Sequence, residues 1–302
     1  MKSLEGERIL ITGASGFIGK HLVRELSNRG ARLICLSRLD CPPEDIATLV
    51  QDWVTVDLSI PGCLENIKKR VFGCKYLFHL SGTVKDTQDI SELYNTYFSD
   101  IINPIELVSA LKSSLRHICL YSTTAVYSHI QKPVDEDSPI EPSGLYGANK
   151  YALELLFQLL SKQANIPLCI MRISSVYGFG MPESRAIIRF IRNMLNDCQP
   201  CVNGSPYALR DYLYVDDLIE ISIQAADCRV GGIFNVASGD PHGLQGVLKI
   251  IADILEKPSD PIYIREHKSD DFIISISKAV NLLGFRPRSL SEGLKLLCGF
   301  MQ

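Results

Sequence analysis

Short runs rich in Val, Ile and Leu alternate with stretches whose apolar positions recur every three or four residues through the first 175 residues. The runs at 8–12, 32–37, 53–56, 76–80, 117–122 and 168–173 are apolar almost without interruption, as strands buried on both faces are. The stretches at 17–29, 64–69, 99–112 and 146–163 read as helices. In the first of these, Phe17, Ile18, Leu22, Val23 and Leu26 form one stripe, and Gly30 supplies the stop. Continuously apolar strands separated by helices predict an α/β fold, a doubly wound parallel sheet covered on both faces. After about residue 175 the pattern loosens. Pro182, Pro200 and Pro206 break up 178–210, a helix follows Asp216, and a strand is predicted at 233–237. A helix at 244–255, a short strand at 262–265 and a final helix from about Leu290 complete the chain.

Composition narrows the class. Of 302 residues, 46% are hydrophobic and 22% charged, which suits a water-exposed globular chain with ample core. A formal net charge of −3 gives no footprint for nucleic acid. No apolar run approaches the roughly 20 residues that span a bilayer, so no membrane partner is expected. The start, MKSLEGERILITG, has no signal-like apolar segment and leads straight into a strand. The ten cysteines form no framework; most, such as Cys35, Cys119, Cys169 and Cys298, lie in apolar patterns and read as small buried hydrophobes in a reducing, cytoplasmic compartment. Cys198 and Cys201 form a lone CxxC without a strand-to-helix context or a second pair, so neither redox nor metal chemistry is expected of them.

The candidate chemistry begins where the first strand runs into TGASGFIGKHL. Gly13, Gly16 and Gly19, with Ser15, Phe17 and Ile18 between and beside them, open the first helix. A turn without side chains lets a pyrophosphate approach the backbone, and the helix start offers free N–H groups and a positive dipole end. A dinucleotide site in a Rossmann-type sheet is therefore expected. The end of the second strand reads the adenosine ribose: an acid there suits NAD, an arginine the 2′-phosphate of NADP. Here Ser37 and Arg38 occupy it, and the competing acid, Asp40, lies beyond the strand end, which favours NADP(H) over NAD(H). Asp57 and Leu58 are placed to meet the adenine. Leu80, Ser81 and Gly82 offer a path for the pyrophosphate and nicotinamide ribose. Residues 1–175 with about 211–237 then form the dinucleotide-binding domain. About 176–210 and 238–302 form a smaller, discontinuous substrate-binding domain, with the ligand expected in the cleft between the two.

Tyr146 and Lys150 stand one helical turn apart in LYGANKYALELL, on one face. An ammonium beside a phenol favours the phenolate and lowers the phenol's pKa, making it a proton donor and acceptor near neutral pH.

Together these segments resemble the extended short-chain dehydrogenase/reductases, in the nucleotide-sugar epimerase, dehydratase and reductase branch. The resemblance runs nearly end to end through TGASGFIG, HLSG, YSTTAVYS, YGANKYALE, MRISSVYGFG, RDYLYVDDL, FNVASGDPHGL and LGFRPRSLSEGL. It implies an NAD(P)-dependent oxidoreductase acting on a nucleotide-diphosphate sugar. Tyr146 would be the catalytic acid/base and Lys150 its partner, both against the nicotinamide ribose. Thr123 would hold the reacting substrate oxygen, with Ser122 and Thr124 supporting it. Arg210 would clamp the substrate diphosphate, a task suited to a guanidinium fork. Ser175 would face the substrate, and Tyr177 and Gly178 the loop beside the nicotinamide. Relatives pair through the helices matching 99–112 and 146–163, so a homodimer is expected.

Departures from the family pattern narrow the reaction. Thr124 and Ala125 stand where 4,6-dehydratases carry Asp and Glu, which argues against dehydration. Ser175 and Asp100 each replace an expected Asn, and no Cys–His pair flanks Thr123. The six histidines, His21, His79, His117, His129, His242 and His267, share no spacing that suggests a metal site. The expected activity is an NADPH-dependent 4-ketoreductase of a nucleotide-activated 4-keto-6-deoxyhexose. The alternatives are a 4-epimerase with tightly bound NAD, an NADPH reductase of a non-nucleotide ketone, and a cofactor-binding protein without turnover.

Overall fold

The computed structural model describes residues 4–83, 89–127, 133–264 and 271–302. The first half of the chain alternates strand and helix: β1 (Arg8–Thr12), α1 (Phe17–Asn28), β2 (Arg32–Ser37), β3 (Asp52–Thr55), α2 (Lys68–Val71), β4 (Tyr76–His79), α3 (Ile90–Tyr97), α4 (Asn103–Leu111), β5 (His117–Thr123), α5 (Leu145–Ala164) and β6 (Leu168–Ile173). Then follow β7 (Ser175–Tyr177), α6 (Ala186–Leu195), β8 (Cys201–Asn203), β9 (Arg210–Tyr214), α7 (Val215–Asp227), β10 (Gly232–Val236), β11 (Pro241–His242), α8 (Leu244–Leu255), β12 (Ile262–Ile264), α9 (Ser277–Leu283) and α10 (Leu290–Met301). His129, His267 and the end of the strand expected at 262–265 lie outside the described residues.

The chain divides into two compact units. The first comprises the described residues of Met1–Ser128, Pro139–Arg172 and Ile219–Phe234; the second those of His129–Ser138, Ile173–Leu218 and Asn235–Gln302. The sheet anchored in the first unit has seven strands in the order β10-β6-β5-β4-β1-β2-β3. The pairs β1–β2, β1–β4, β2–β3 and β4–β5 are parallel. This is the doubly wound order, with its switch point between β1 and β4, where ligands of such sheets bind. Leu10, Ile34, Leu77 and Ile118 on the strands pack with Leu107, Leu153 and Phe157 of the helices in one core. The α1 stripe buries Leu22, Val23 and Leu26, and Gly30 follows the helix at φ +80°, the left-handed stop.

Two helices differ from the pattern's expectation. The helix expected at 64–69 begins only at Lys68, because 57–67 closes successive turns by hydrogen bonds between residues three apart instead. Leu64, Ile67 and Val71 nevertheless point into the core, as the periodicity requires. The helix expected at 99–112 starts earlier, at Ile90, and widens to a π turn over Phe98–Ile102 before α4. Pro104 sits in the first turn of α4 and has no N–H to bond the carbonyl four residues back, so the ladder loosens just there.

In the second unit, β11-β9-β7 form one small sheet and β12-β8 another. Amphipathic α6, α8 and α10 pack their apolar faces, Phe190, Val247 and Leu294 among them, with Tyr177 and Tyr214. The rings of Tyr177 and Tyr214 meet edge to face at 5.5 Å. Tyr177 is thus a core residue of this unit. Its hydroxyl donates to the Leu290 carbonyl, and Gly293 on α10 leaves the space that ring needs.

Candidate active site

The first unit carries a cavity of about 610 Å³ at the sheet's switch point. Of the expected cofactor residues, Gly13, Ser15, Gly16, Ser37, Arg38, Asp57, Leu58, Leu80, Ser81 and Gly82 line it. Phe17, Ile18 and Gly19, which open α1 beside it, do not, and neither do Tyr146 and Lys150 on α5. The glycines fit distinct purposes. Gly13 has φ +72°, and a side chain there would lie 3.0 Å from the Ser81 nitrogen, so it lets β1 and β4 end against each other. A Cβ on Gly19 would stand 2.2 Å from the Gly13 carbonyl, so this glycine seats the helix on its own turn. The cradle of bare backbone at a helix start, in a cavity of this volume, fits a dinucleotide.

The far wall depends on Asn103, which the sequence pattern did not mark, and on Asp100, which stands for an expected Asn. Asn103 donates to the carbonyls of Leu58 at 2.7 Å and Ile60 at 3.1 Å, fixing the loop after β3. Asp100 sits on the π turn and accepts from Thr83 N–H at 3.1 Å and Ser99 Oγ at 2.7 Å. Among the described residues, the hydrogen bonds of this carboxylate come from donors, the Thr83 N–H and Oγ1 and the Ser99 Oγ, so it serves where the family's Asn would use only its acceptor oxygen.

The predicted catalytic residues gather at the ends of β5 and α5. Lys150 is buried and donates to the carbonyls of Ser81 at 3.2 Å and Tyr121 at 3.1 Å, bridging the ends of β4 and β5. A Cβ on Gly82 would come within 2.7 Å of its Nζ, so that glycine makes room for the ammonium beside the cavity. Burial pushes the Lys150 pKa down, and the carboxylates of Asp100 and Glu154 hold it up against that. Thr123 is buried, and its Oγ1 accepts from Ala125 N–H at 3.2 Å at the start of a short 3-10 turn. Thr124 is buried in the same turn. Tyr146 stands half-buried in the first turn of α5. Its neighbour Gly147 allows that turn to sit on the strand end, since a Cβ there would be 2.4 Å from the Ala125 carbonyl.

Behind this group lies a buried ionic cluster. Glu154 accepts from Ser122 Oγ, and from Arg172 Nη2 at 2.8 Å and Nε at 3.2 Å. Arg172 also donates to the Tyr127 hydroxyl at 2.9 Å. His79 is enclosed too, with Nδ1 3.0 Å from Thr12 Oγ1. Burial, helped by Lys150, pushes its pKa down to about 3, so the ring is neutral.

Ser175 and Arg210 belong to the second unit. Ser175 is exposed on β7 and pairs in register with Tyr212 on β9. Arg210 opens β9 and donates from Nη1 to the Leu209 carbonyl at 2.7 Å. The neighbouring Asp211 is buried. It accepts from Ser238 N–H at 2.6 Å, Gly239 N–H at 2.8 Å and Ser174 Oγ at 3.0 Å, while burial raises its pKa against those bonds. Among the described residues no cluster of His, Cys, Asp and Glu could hold a metal, and no helix is long and apolar enough to cross a membrane.

A doubly wound sheet with a glycine cradle at its switch point, and a buried lysine at the cavity's edge, defines a nicotinamide-dinucleotide-dependent enzyme. Residues 9–237 match the NAD dependent epimerase/dehydratase family, and the chain belongs to it. It is similar to a putative UDP-glucose 4-epimerase of Methanocaldococcus jannaschii, 26% identical over 97% of this chain and 98% of that protein. It is also similar to a dTDP-4-dehydro-6-deoxyglucose reductase of Escherichia coli, 27% identical over 96% of each chain. Among solved structures, the fold matches a UDP-N-acetylglucosamine 4-epimerase from Methanobrevibacter ruminantium with a TM-score of 0.86 and 22% identity, covering 98% of both chains.

Proposed function

We propose that this enzyme acts at C4 of a nucleotide-diphosphate sugar as a 4-epimerase; the residues that follow Thr123 argue against dehydration, and the similarity to a putative UDP-glucose 4-epimerase carries the choice over a net reductase. Thr124 and Ala125 form the 3-10 turn there and offer no carboxylate for removing water. Tyr146 then has one proton to move, at the C4 oxygen. That reverses the order of preference reached from sequence, where the net reductase stood first. The UDP-glucose 4-epimerase-like relative and the epimerase-like fold support the change.

In this reading Thr123 holds the C4 oxygen by hydrogen bond, and Tyr146 takes its proton and later returns one. Lys150 keeps the phenol acidic and supports the ribose of the cofactor. Gly13, Gly16, Ser81 and Gly82 hold the dinucleotide, whose nicotinamide supplies the hydride acceptor and donor. Arg210 anchors the diphosphate, so that binding energy remote from C4 orients the ring. Ser37 and Arg38, in place of an acid, support NADP(H) as the cofactor. That same pair favours the second reading, a net 4-ketoreductase, because a reductase draws on exchangeable reduced cofactor.

The test is stoichiometric. Purified protein incubated with UDP-hexoses and a catalytic amount of cofactor is expected to yield the C4 epimer by NMR, without net change in nicotinamide absorbance. One NADPH consumed per 4-keto sugar reduced, with no epimer formed from UDP-hexoses, overturns the epimerase in favour of the reductase. Tyr146→Phe is expected to lower kcat by about 10²- to 10⁴-fold with cofactor affinity retained.

A further inference from the structure

The loop after β2 carries Arg38, Leu39 and Asp40, and its Leu39 residue is held at both backbone polar groups. The Leu39 N–H donates to Ser37 Oγ at 3.1 Å. The Leu39 carbonyl accepts from Trp53 Nε1 at 2.8 Å and from Thr55 Oγ1 at 3.2 Å. Trp53 and Thr55 lie two residues apart on β3, so both side chains leave the same face of that strand. Ser37 in turn donates to Ser15 Oγ in the glycine turn at 2.9 Å, tying the loop to the phosphate cradle.

With the peptides on both sides of Leu39 fixed, the backbone that follows Arg38 has little freedom. Arg38 lines the cavity, and Leu39 and Asp40 do not. Among the described residues Arg38 makes no ion pair or hydrogen bond through its side chain. Asp45, further along the same connection, is paired with Lys20 at 3.1 Å and with Arg24, both on α1. A guanidinium on a cavity wall without an ion pair among the described residues suits an incoming phosphate dianion.

We infer that Trp53 and Thr55 are specificity-positioning residues for an adenosine 2′-phosphate, clamping the Leu39 carbonyl so that Arg38 is held towards the cavity. The inference rests on the NADP(H) reading given above, and it adds two residues of β3 that do not line the cavity. Preorganisation of this kind raises affinity by removing the cost of ordering the arginine on binding.

The experiment is calorimetric titration with adenosine 2′,5′-bisphosphate and with 5′-AMP, which differ only by the 2′-phosphate. The unaltered protein is expected to prefer the bisphosphate by about tenfold or more. The double variant Trp53→Phe, Thr55→Val is expected to lose most of that preference, with 5′-AMP affinity within about twofold of the starting value. If the double variant keeps the full preference, the clamp is wrong and the NADP(H) reading stands. Equal loss of both ligands also overturns the clamp, since it marks a merely structural role. If the unaltered protein shows no preference, the NADP(H) reading itself fails and the inference falls with it. Thr55→Val alone, at an exposed position and with its β-branched shape kept, carries the same comparison if the double variant does not fold.

Discussion

Glu154 lies one turn beyond Lys150 on α5 and accepts from Ser122, the residue before Thr123. One carboxylate therefore fixes the helix that carries Tyr146 and Lys150 against the strand end that carries Thr123. Ser122→Ala removes a single hydrogen bond to a buried charge and leaves the Arg172 pair intact, at a cost of about 1.5–3 kcal/mol. The expected result is a roughly tenfold fall in kcat with KM little changed, because the shift misplaces Thr123 against Tyr146 without touching the binding residues. A rise in KM with constant kcat would count against that positioning role. The spacing of Tyr146 and Lys150 was legible in sequence because it depends on helical period alone. Glu154, Arg172, Asp211 and Asn103 were not. A charged or amide side chain in an amphipathic stretch reads as solvent-facing, and only tertiary packing shows that its partners are buried with it.

At the scale of elements, glycines in helices behave in opposite ways according to what faces them. Gly147→Ala sets a methyl 2.4 Å from the Ala125 carbonyl. The overpacking, about 1–3 kcal/mol, outweighs the roughly 1 kcal/mol gained in helix propensity. Gly299 on α10 has no heavy atom within 4 Å of the equivalent position, so Gly299→Ala is expected to gain about 0.5–1 kcal/mol. Urea midpoints of the two variants should move in opposite directions, and a parallel shift would refute the argument. The strands of the seven-stranded sheet were readable because burial on both faces leaves unbroken apolar runs. In the second unit β7, β8 and β9 are only three to five residues long and carry Ser, Asn, Arg and Asp, so they show no such run. Helix α6 has a clear apolar face, but prolines on either side of it, Pro182 and Pro200, draw attention to the breaks rather than to the helix.

For the whole molecule, the fold and the cofactor wall were the most legible parts, because a glycine turn after a strand reports backbone geometry directly. The reaction was less so: an epimerase and a reductase would place the same demands on Thr123, Tyr146 and Lys150, and differ in whether the hydride given to C4 was first taken from that sugar or is drawn from exchangeable reduced cofactor. The seven-stranded sheet has one further property. Its edge strand β10 (Gly232–Val236) pairs with β6 (Leu168–Ile173), yet more than fifty residues, including α6, β9 and α7, are made between them. On the ribosome, the nascent chain therefore holds the apolar segment LCIMRI with one flank of its backbone open until residue 236 has emerged. A chain stopped after residue 175 is expected to sediment on refolding while the full chain stays in solution. The last strand of the sheet acts here as a delayed closure, which makes the interval of synthesis between residues 173 and 232 the one in which this protein most needs a chaperone.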